Sequence, residues 1–553
     1  MRRLLLVLAA CLPLALPAAE IHLLTAARIH TMDPQHPTAE AMAWDDTGRI
    51  LAAGDAKTLL ARYPKAIRID AGDATVIPGL IDAHAHLMGL GYALMRVDLV
   101  GTQDKADILR RLREYEKNLP AGAWLLGGGW DQNDWHDNRF PSAADLDAAF
   151  PDRPVWLERV DGHAGWANTA AMRAVEKQSG KSLKGEWQPD GGRIVRQGDA
   201  PTGVFVDGAM DLVNTIVPPA DEKTREKALR LALEATARNG LTGVHDMGTS
   251  REDLALFRRF ADEGRLTLRV DAYADGDRAA LADLCANGLY RHASGRVSMR
   301  GVKLYMDGAL GSRGAALLDD YSDDPGNRGL LVTQPKDFEA AVNKAKRCGV
   351  QVATHAIGDR GNRLALDAYQ RALGGDAKTD HRWRIEHAQI VSLDDVPRFA
   401  ALGVIASMQP THATSDMPWA EQRIGKQRIA GAYAWRRFLD SGARIALGSD
   451  FPVESVDPRL GLYATATRQD REGHPPGGWL ADQKLTAAEA LRGFTADAAY
   501  AGKDEKAVGK LAAGMRADFV VVEKDPLTMP VSELDDLKIR STWIDGKAIY
   551  KAK

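Results

Sequence analysis

Short apolar runs alternate with longer amphipathic stretches through the middle of the chain. Helix-like segments, such as residues 222–239 and 337–348, separate most of these runs. Strands that alternate with helices in this way are typical of a parallel βα barrel, so the pattern predicts an α/β fold of the TIM type, (β/α)8. The eight predicted strands are residues 76–83, 243–246, 267–273, 301–306, 350–354, 384–386, 404–408 and 444–447.

Both ends of the chain have a different sequence pattern, in which short β-type runs are separated by turn residues. Near the C-terminus, Asp545-Gly546 lies between two such runs and predicts a tight hairpin turn. Two β-rich ends that flank a long middle suggest that the ends meet. The sequence therefore predicts one split β-sandwich domain from residues 20–78 plus 504–553, and a barrel domain from residues 79–503.

The first gap between barrel strands is anomalous. Between Gly89 and Leu241 lie about 150 residues, far more than an ordinary connecting loop. The segment has strands and turns of its own, so we expect an inserted subdomain over about residues 95–238. In a barrel it would lie above the C-terminal face, where the βα loops form active sites.

The first nineteen residues are typical of an export signal. Arg2 and Arg3 precede the apolar stretch 4–16, and Pro17-Ala18-Ala19 offers small residues for cleavage. The run is shorter than the roughly 20 residues that a membrane span needs, so no transmembrane span is expected in the mature protein. The predicted location is the bacterial periplasm, with a lipoprotein anchored through Cys11 as the alternative.

Composition narrows the choice of partner. The chain has 553 residues, a formal net charge of −3 and mixed charges along its length, which argues against a nucleic-acid partner and favours a small molecule. The sequence leaves the oligomeric state open, with a homodimer as one possibility. After signal cleavage only Cys285 and Cys348 remain. Two cysteines do not make a disulfide framework in a protein of this size, and neither has a metal-site neighbour, so they predict structural thiols.

Candidate metal ligands lie at the ends of the predicted strands. His84 and His86 are two residues apart and directly follow the first predicted strand. Because residues i and i+2 of a strand point to the same side, both can bind the same ion. His355, His387 and Asp450 each close a later strand. A single histidine there could be a satisfied core residue, and Asp450 could cap a turn, but the set together predicts a metal site.

Lys303 lies inside the apolar run Val302-Lys303-Leu304. A lysine that points into a barrel core is costly unless it is paired, and a desolvated lysine loses its proton readily. A neutral amine can add carbon dioxide, and the resulting carbamate is an anionic ligand with two oxygens that can bridge two metals. The alternative is an ion pair with a carboxylate such as Asp307 or Asp246.

These residues carry a family resemblance. The start Val76-Ile77-Pro78-Gly79-Leu80-Ile81-Asp82-Ala83-His84-Ala85-His86 resembles the strand-one signature of the amidohydrolase superfamily, and the C-terminal segment from Gly509 to Lys547 is also similar. Several segments, among them Asp161-Gly162-His163 and the run from Asp307 to Arg313, resemble the type 3 branch, which contains N-substituted formamide deformylases. The resemblance covers essentially the whole mature chain.

The resemblance implies one or two divalent metals, most simply zinc, within a TIM-type barrel. His84 and His86 would bind the more buried ion with Asp450, His355 and His387 the more exposed ion, and Lys303, carboxylated on Nζ, would bridge them. The implied reaction is hydrolysis of a non-peptide carbon–nitrogen bond, in an amide or formamide, by a metal-activated hydroxide. Asp450 would be the catalytic proton shuttle.

Substrate contacts and rival functions stay open at this stage. Candidate substrate-binding residues are Arg313, His412, His163, Trp130 and Asp131, of which the last three could instead stabilise the insertion. An esterase or lactonase could use the same metal site, since the site activates water without dictating the leaving group. A catalytically silent binding protein on the same scaffold is the other alternative.

Overall fold

The computed structural model describes residues 20–120, 122–275, 278–374 and 379–553. The predicted signal peptide, residues 1–19 with Cys11, lies outside the described residues. The described strands form three sheets of eight, six and nine strands. Each sheet corresponds to one part of the molecule: the two chain ends, the insertion and the barrel.

The strands are, in chain order, β1 (Ile21–His30), β2 (Thr38–Asp45), β3 (Ile50–Gly54), β4 (Ile67–Asp70), β5 (Thr75–Pro78), β6 (Leu80–Ala85), β7 (Val97–Asp98), β8 (Leu125–Trp130), β9 (Val155–Arg159), β10 (Ala164–Ala167), β11 (Gly192–Gln197), β12 (Ala200–Asp207), β13 (Leu241–Thr249), β14 (Arg269–Ala274), β15 (Tyr290–Arg291), β16 (Val297–Tyr305), β17 (Gln351–Ala356), β18 (Arg384–His387), β19 (Ile405–Met408), β20 (Ile445–Leu447), β21 (Phe519–Val522), β22 (Ile539–Ile544) and β23 (Lys547–Lys551).

The α-helices are α1 (Ala56–Arg62), α2 (Leu87–Ala93), α3 (Lys105–Glu116), α4 (Ala143–Asp147), α5 (Thr169–Ser179), α6 (Asp211–Asn214), α7 (Glu222–Arg238), α8 (Arg251–Asp262), α9 (Arg278–Asn287), α10 (Pro335–Arg347), α11 (Asp359–Leu373), α12 (Val396–Leu402), α13 (Pro410–Asp416), α14 (Ala420–Arg428), α15 (Trp435–Asp440), α16 (Pro458–Thr467), α17 (Ala487–Gly493) and α18 (Ala496–Ala501). Within the described ranges, no helix is both long and apolar enough to cross a bilayer.

The barrel sheet confirms the predicted fold class. Its eight main strands run in the order β6-β13-β14-β16-β17-β18-β19-β20, and all neighbouring pairs are parallel. Backbone hydrogen bonds from Asp450 to His84 (2.7 Å) and from His86 to Phe451 (2.8 Å) join the two ends of the sheet just beyond β20 and β6. The barrel is therefore tied together at the carboxyl ends of its strands.

The predicted first barrel strand, residues 76–83, is two strands in the structure. β5 pairs with β1 and β21 in the sheet of the chain ends, whereas β6 pairs with β13 in the barrel. The chain changes sheets at Gly79. One unbroken apolar run does not reveal this, because both strands are buried on both faces.

The two chain ends form one sheet that folds over a shared core. Trp44 of β2 lies near Phe519 of β21 and Trp543 of β22, with ring centroids 5.5 and 6.3 Å apart, although two other strands separate β2 from β21 in the sheet. The predicted hairpin at Asp545-Gly546 joins β22 to β23, and both residues have the positive φ that a type I′ turn requires (49° and 70°).

The insertion has its own six-stranded sheet, β7 to β12, and a separate apolar core. Its last elements are β12 and α6, which ends at Asn214. α7 contributes Ala228, Leu229, Ala232 and Leu233 to the core of the barrel. The last helix of the predicted insertion, about residues 95–238, thus packs in the barrel core.

Cys285 and Cys348 form a disulfide, so the prediction of two structural thiols is wrong. The cysteines are 63 residues apart in sequence, but their Cα atoms lie 5.0 Å apart. Cys285 lies in α9 and Cys348 directly follows α10. These helices follow successive main strands of the barrel, and that proximity cannot be inferred from the spacing of the cysteines.

Replacing both cysteines with serine is expected to lower the free energy of unfolding by about 2–4 kcal/mol, because the unfolded chain has more conformational entropy without the crosslink. Urea unfolding of the oxidised protein and of the Cys285→Ser/Cys348→Ser variant measures the difference. Reduced wild-type protein is the control and should unfold at the same urea concentration as the variant. Equal midpoints for the oxidised wild type and the variant would contradict the stabilising role.

Candidate metal centre

The six predicted metal ligands lie at the carboxyl ends of five barrel strands. They come from β6 and the residue after it, from β16, β17 and β18, and from the loop after β20. Five of the six are almost completely buried, and the side chain of His86 is one-third exposed. The residues are His84, His86, Lys303, His355, His387 and Asp450.

Three of them already have the spacing of a metal site. His84, His387 and Asp450 each offer one ligand atom, and these atoms all lie within 4.8 Å of one another. Two more predicted ligands border this triad. The Nε2 atom of His86 is 3.2 Å from Oδ1 of Asp450, and the Nζ atom of Lys303 is 3.3 Å from Nε2 of His84.

His355 lies beside the triad rather than within it. Its ring centroid is 4.6 Å from that of His387, and its Nε2 atom lies 3.4 Å from the carbonyl oxygen of Gly308. The contact with the carbonyl engages Nε2 and leaves Nδ1 as the ring atom free to bind. The structure thus brings His355 and His387 together as neighbours at one side of the centre.

The backbone at the strand ends is unusual where it presents these ligands. His387 and Asp450 have φ values of 73° and 64°, a region that residues other than glycine rarely occupy and that is concentrated at functional sites. Gly448 lies so close to β6 that an added Cβ would meet the backbone nitrogen of His84 at 2.6 Å. A larger residue at position 448 would push Asp450 away from His84.

A buried carboxylate orients His84. Glu386 accepts a hydrogen bond of 2.6 Å from Nδ1 of His84, which directs Nε2 of that histidine toward Asp450. Arg384 donates to the same carboxylate, and both residues are fully buried. In the same way Gln409 lies 2.8 Å from Nδ1 of His387. Such partners select the ring nitrogen that faces a metal.

These orienting residues were not among the predicted site residues, although the sequence contains a signal for them. Arg384 and Glu386 are two charged residues at i and i+2 of a short buried strand, so both point to the same side. Two opposite charges on the inward face of a strand indicate a buried ion pair. Which histidine they contact depends on the barrel, since His84 is 302 residues away from Glu386.

The electrostatics suit metal binding. Burial lowers the pKa of His355 and of His387 well below the ordinary value, so both rings are neutral at pH 7 and have a free lone pair. Burial alone would raise the pKa of Asp450, but the imidazoles around it hold that pKa well below its usual range. Burial also lowers the pKa of the Lys303 amine.

The donor set fits a divalent cation on independent geometric grounds. Oδ1 of Asp450 is buried and has no hydrogen-bond partner among the described residues, although it lies next to two histidines. Unpaired buried polar atoms are rare in folded proteins. Neutral imidazoles and a carboxylate that converge on one point match the ligands that zinc prefers.

In the described structure Lys303 forms no ion pair with Asp246 or Asp307, the two carboxylates named as its alternative partners. Asp246 accepts hydrogen bonds from the backbone of Leu87 and from the Thr249 hydroxyl. Asp307 accepts three backbone N–H groups, those of Ala316, Ile357 and Gly358. The lysine instead faces His84, with its amine 5.0 Å from the ring centre of Tyr305.

Two of the five candidate substrate contacts adjoin the centre. His412 stacks on His387 with ring centroids 5.8 Å apart, and its Nε2 atom is 3.7 Å from Asp450. His163 reaches from the insertion, and its ring centroid is 4.9 Å from that of His355. Burial alone would lower the pKa of His163, but the neighbouring Asp207 carboxylate raises it above the ordinary value.

The other three candidates are engaged elsewhere in the described structure. Trp130 is fully buried in the core of the insertion and donates its indole N–H to the carbonyl of Leu157. Asp131 pairs with the buried Arg159. Arg313 forms an ion pair of 2.9 Å with Asp323.

Comparison with known proteins gives consistent matches over nearly the whole chain. The model of the amidohydrolase family matches residues 68–550. The putative amidohydrolase YtcJ of Bacillus subtilis (strain 168) is 32% identical over 538 residues, which cover 95% of this chain and 98% of that protein. The N-substituted formamide deformylase of Arthrobacter pascens is 28% identical over 544 residues, 95% of this chain and 97% of that protein.

Solved structures show the same architecture. An uncharacterized metal-dependent hydrolase from Pyrococcus horikoshii OT3 superposes with a TM-score of 0.74 at 27% identity, and the match covers 93% of this chain and 99% of that one. A match of this extent includes the insertion as well as the barrel and the chain ends.

Proposed function

The chain belongs to the amidohydrolase family, and from that premise we propose that it hydrolyses a non-peptide carbon–nitrogen bond in an amide or formamide. The observation that carries the proposal is the convergence of His84, His387 and Asp450 at the barrel mouth, with the buried amine of Lys303 beside them. The printed name of the Arthrobacter pascens relative, an N-substituted formamide deformylase, supports this choice of bond.

The proposed ligand set extends the triad to two ions, most simply zinc. His84 and His86 would hold the more buried ion together with Asp450, because both Nε2 atoms lie 3.2–3.3 Å from Oδ1 of that carboxylate. His355 and His387, neighbours at the other side of the centre, would hold the second ion. Lys303, carboxylated on Nζ by carbon dioxide, would supply the ligand between them.

The ions and the protein side chains would divide the chemistry. When bound, a divalent ion polarises the substrate carbonyl and lowers the pKa of a water molecule from about 15.7 toward about 7. Asp450 is ionised and nearly buried, so it can accept the proton of the attacking water and return it to the leaving nitrogen. His412 would hydrogen-bond the substrate, because its Nε2 atom lies 3.7 Å from Asp450 and has no hydrogen-bond partner among the described residues.

Substitution of Lys303 tests the bridging ligand. Lys303→Ala is expected to bind less metal and to lose most turnover, because the centre would lose the proposed anionic bridge. Short carboxylic acids such as acetate or propionate should restore part of both, since they offer the two oxygens of the missing carbamate. Metal content and turnover are measured with and without the acid. Lys344→Ala is the matched control for removing a lysine outside the centre. Full activity of Lys303→Ala without any acid would contradict the role.

A substrate screen tests the choice of bond. Purified protein loaded with zinc or manganese is assayed on pairs of amides and esters with the same acyl group, including N-substituted formamides and N-acyl amino acids. The amide of at least one pair should be hydrolysed faster, and a chelator should abolish the reaction until metal is returned. Consistently faster ester hydrolysis would replace the amidase proposal with an esterase or lactonase. Absence of both metal binding and turnover would favour a silent binding protein.

We also propose that the protein is exported to the periplasm. The first nineteen residues supply the signal pattern. The disulfide between Cys285 and Cys348 supports the same conclusion, because disulfides persist in oxidising compartments. Fractionation of cells that produce the full chain, with mass measurement of the mature N-terminus, tests export and separates cleavage near residue 19 from lipidation of Cys11.

A further inference from the structure

A histidine–aspartate pair of the insertion lies beside the metal centre, in ring contact with His355. Nδ1 of His163 is 2.6 Å from Oδ1 of Asp207. The two residues belong to different segments of the insertion: His163 follows a turn in which Asp161 accepts its backbone N–H, and Asp207 ends β12. Since a carboxylate accepts hydrogen bonds, Nδ1 of His163 carries the proton of this pair.

The backbone around Asp207 is strained, and the loop beside it has glycines that make room for its carboxylate. Asp207 has φ 50° and ψ −127°, a strained conformation for a residue other than glycine that is found mainly at functional sites. A Cβ added at Gly308 or at Gly314, in the loop after β16, would meet Oδ2 of Asp207 at 2.4 or 2.5 Å. The loop thus has glycine at both positions where a side chain would displace the carboxylate.

Among the residues that the structure describes, Asp207 is the hydrogen-bond partner of the His163 ring, through Nδ1, and Nε2 has none. Its ring lies against that of His355, at a centroid distance of 4.9 Å. Its side chain is 19% exposed, whereas that of His355 is 3% exposed. A substrate that approaches His355 therefore meets His163, and because Nδ1 is engaged by Asp207, Nε2 is the ring atom available to it.

We propose that His163 is a catalytic residue that the insertion supplies to the centre, where its Nε2–H group donates a hydrogen bond to the carbonyl oxygen of the substrate. Asp207 is its positioning residue, which holds the ring through Nδ1. The proposal rests on the proposed hydrolytic function. It gives the long insertion a chemical role: the barrel supplies the metal ligands, and the insertion supplies a group on the substrate side.

Two substitutions separate contact with the substrate from support of the fold. In His163→Asn the side-chain amide can replace Nδ1 and keep the bond to Asp207, but nothing replaces Nε2. In His163→Gln the amide reaches the position of Nε2 instead. A catalytic role predicts that His163→Asn loses roughly 100-fold or more in kcat while His163→Gln loses less. If His163 only supports the fold, His163→Gln should be the less stable variant, because it loses the bond to Asp207. The kcat values of the two variants should then be similar.

Chemical rescue and controls complete the test. Added imidazole should raise the kcat of the metal-loaded His163→Ala variant severalfold, which restoration of a structural contact would not do. Asp207→Asn should lower kcat with little change in KM. His30→Ala removes a second histidine that is paired with an aspartate, Asp525 at 2.8 Å in the sheet of the chain ends. This variant should keep its kcat and gain nothing from imidazole.

All variants are assayed on the amide or ester that the wild type hydrolyses fastest, with metal content measured in parallel. Failure of the amide proposal then shows in the wild type as preference for esters, and the role of His163 is still decided on the ester carbonyl. His163→Asn with kcat within threefold of the wild type, or a His163→Ala variant with normal metal content that imidazole does not rescue, would overturn the proposal.

Discussion

Asp450→Asn is expected to retain its fold and bound metal while kcat/KM falls on the order of 10³-fold or more, the contribution of a positioned proton-transfer group. Such a loss corresponds to about 4 kcal/mol of transition-state stabilisation. The amide keeps an oxygen that can contact an ion, but it cannot take up the proton of the attacking water. Steady-state kinetics with metal analysis of the same preparation measures both properties.

Asp271→Asn is the matched control for this substitution. Asp271 and Asp450 are each 6% exposed, and Asp271 lies in the same barrel but away from the metal centre, where it pairs with Ser298 and Arg300. Loss of stability without loss of catalysis is expected in the control. Near-normal turnover of Asp450→Asn would remove Asp450 from the role of proton shuttle, and loss of the metal itself would reduce Asp450 to a ligand.

Glu386→Gln is expected to weaken metal binding about 10- to 100-fold, the usual effect of removing the partner that orients a histidine ligand. The carboxylate holds Nδ1 of His84 at 2.6 Å and is itself held by Arg384. The amide can donate its N–H₂ group to Nδ1 of His84. The proton of the ring would then lie on Nε2, which faces the ion and could no longer bind it. Competition with a chelator of known affinity measures the change.

The same substitution also leaves Arg384 as a buried charge without its carboxylate, which costs about 3–5 kcal/mol of stability in comparable cases. Asp518→Asn is the control for the loss of a buried ion pair, and in it Arg269 keeps Asp545 as a second partner. Asp518 pairs with Arg269 at 2.6 Å near the amino end of β14, at the opposite end of the barrel from the metal centre. Both variants should unfold at lower urea concentration, but only Glu386→Gln should bind metal more weakly. Equal metal affinity in the two variants would contradict the orienting role.

Much of the architecture could be predicted from local pattern. The alternation of apolar strands with helical stretches predicted the parallel barrel, which the structure confirms, because strands buried on both faces leave continuous apolar runs. Asp545-Gly546 predicted its hairpin, because few residues tolerate two successive positive φ values. The places of the six proposed ligands at strand ends also followed from the sequence, since parallel strands bring their carboxyl ends to one face.

Other features depended on distances between residues that are far apart in the chain. The disulfide formed because α9 and α10 are adjacent, and no spacing rule relates Cys285 to Cys348. The run 76–83 divided between two sheets at Gly79, where hydrophobicity alone shows no break. Trp130 looked like a substrate contact from its motif but lies in the core of the insertion.

The chain alone therefore determined which residues could bind metal and which face of the barrel would hold them, because strand period and burial are local properties. Only the tertiary structure decided how those residues are oriented. Glu386 hydrogen-bonds His84, which is 302 residues away in the chain. Asp207 holds His163 against His355, and two glycines of a barrel loop leave room for the Asp207 carboxylate. Orientation at a metal centre comes from hydrogen bonds between distant segments, and these exist only after the barrel and the insertion have packed together.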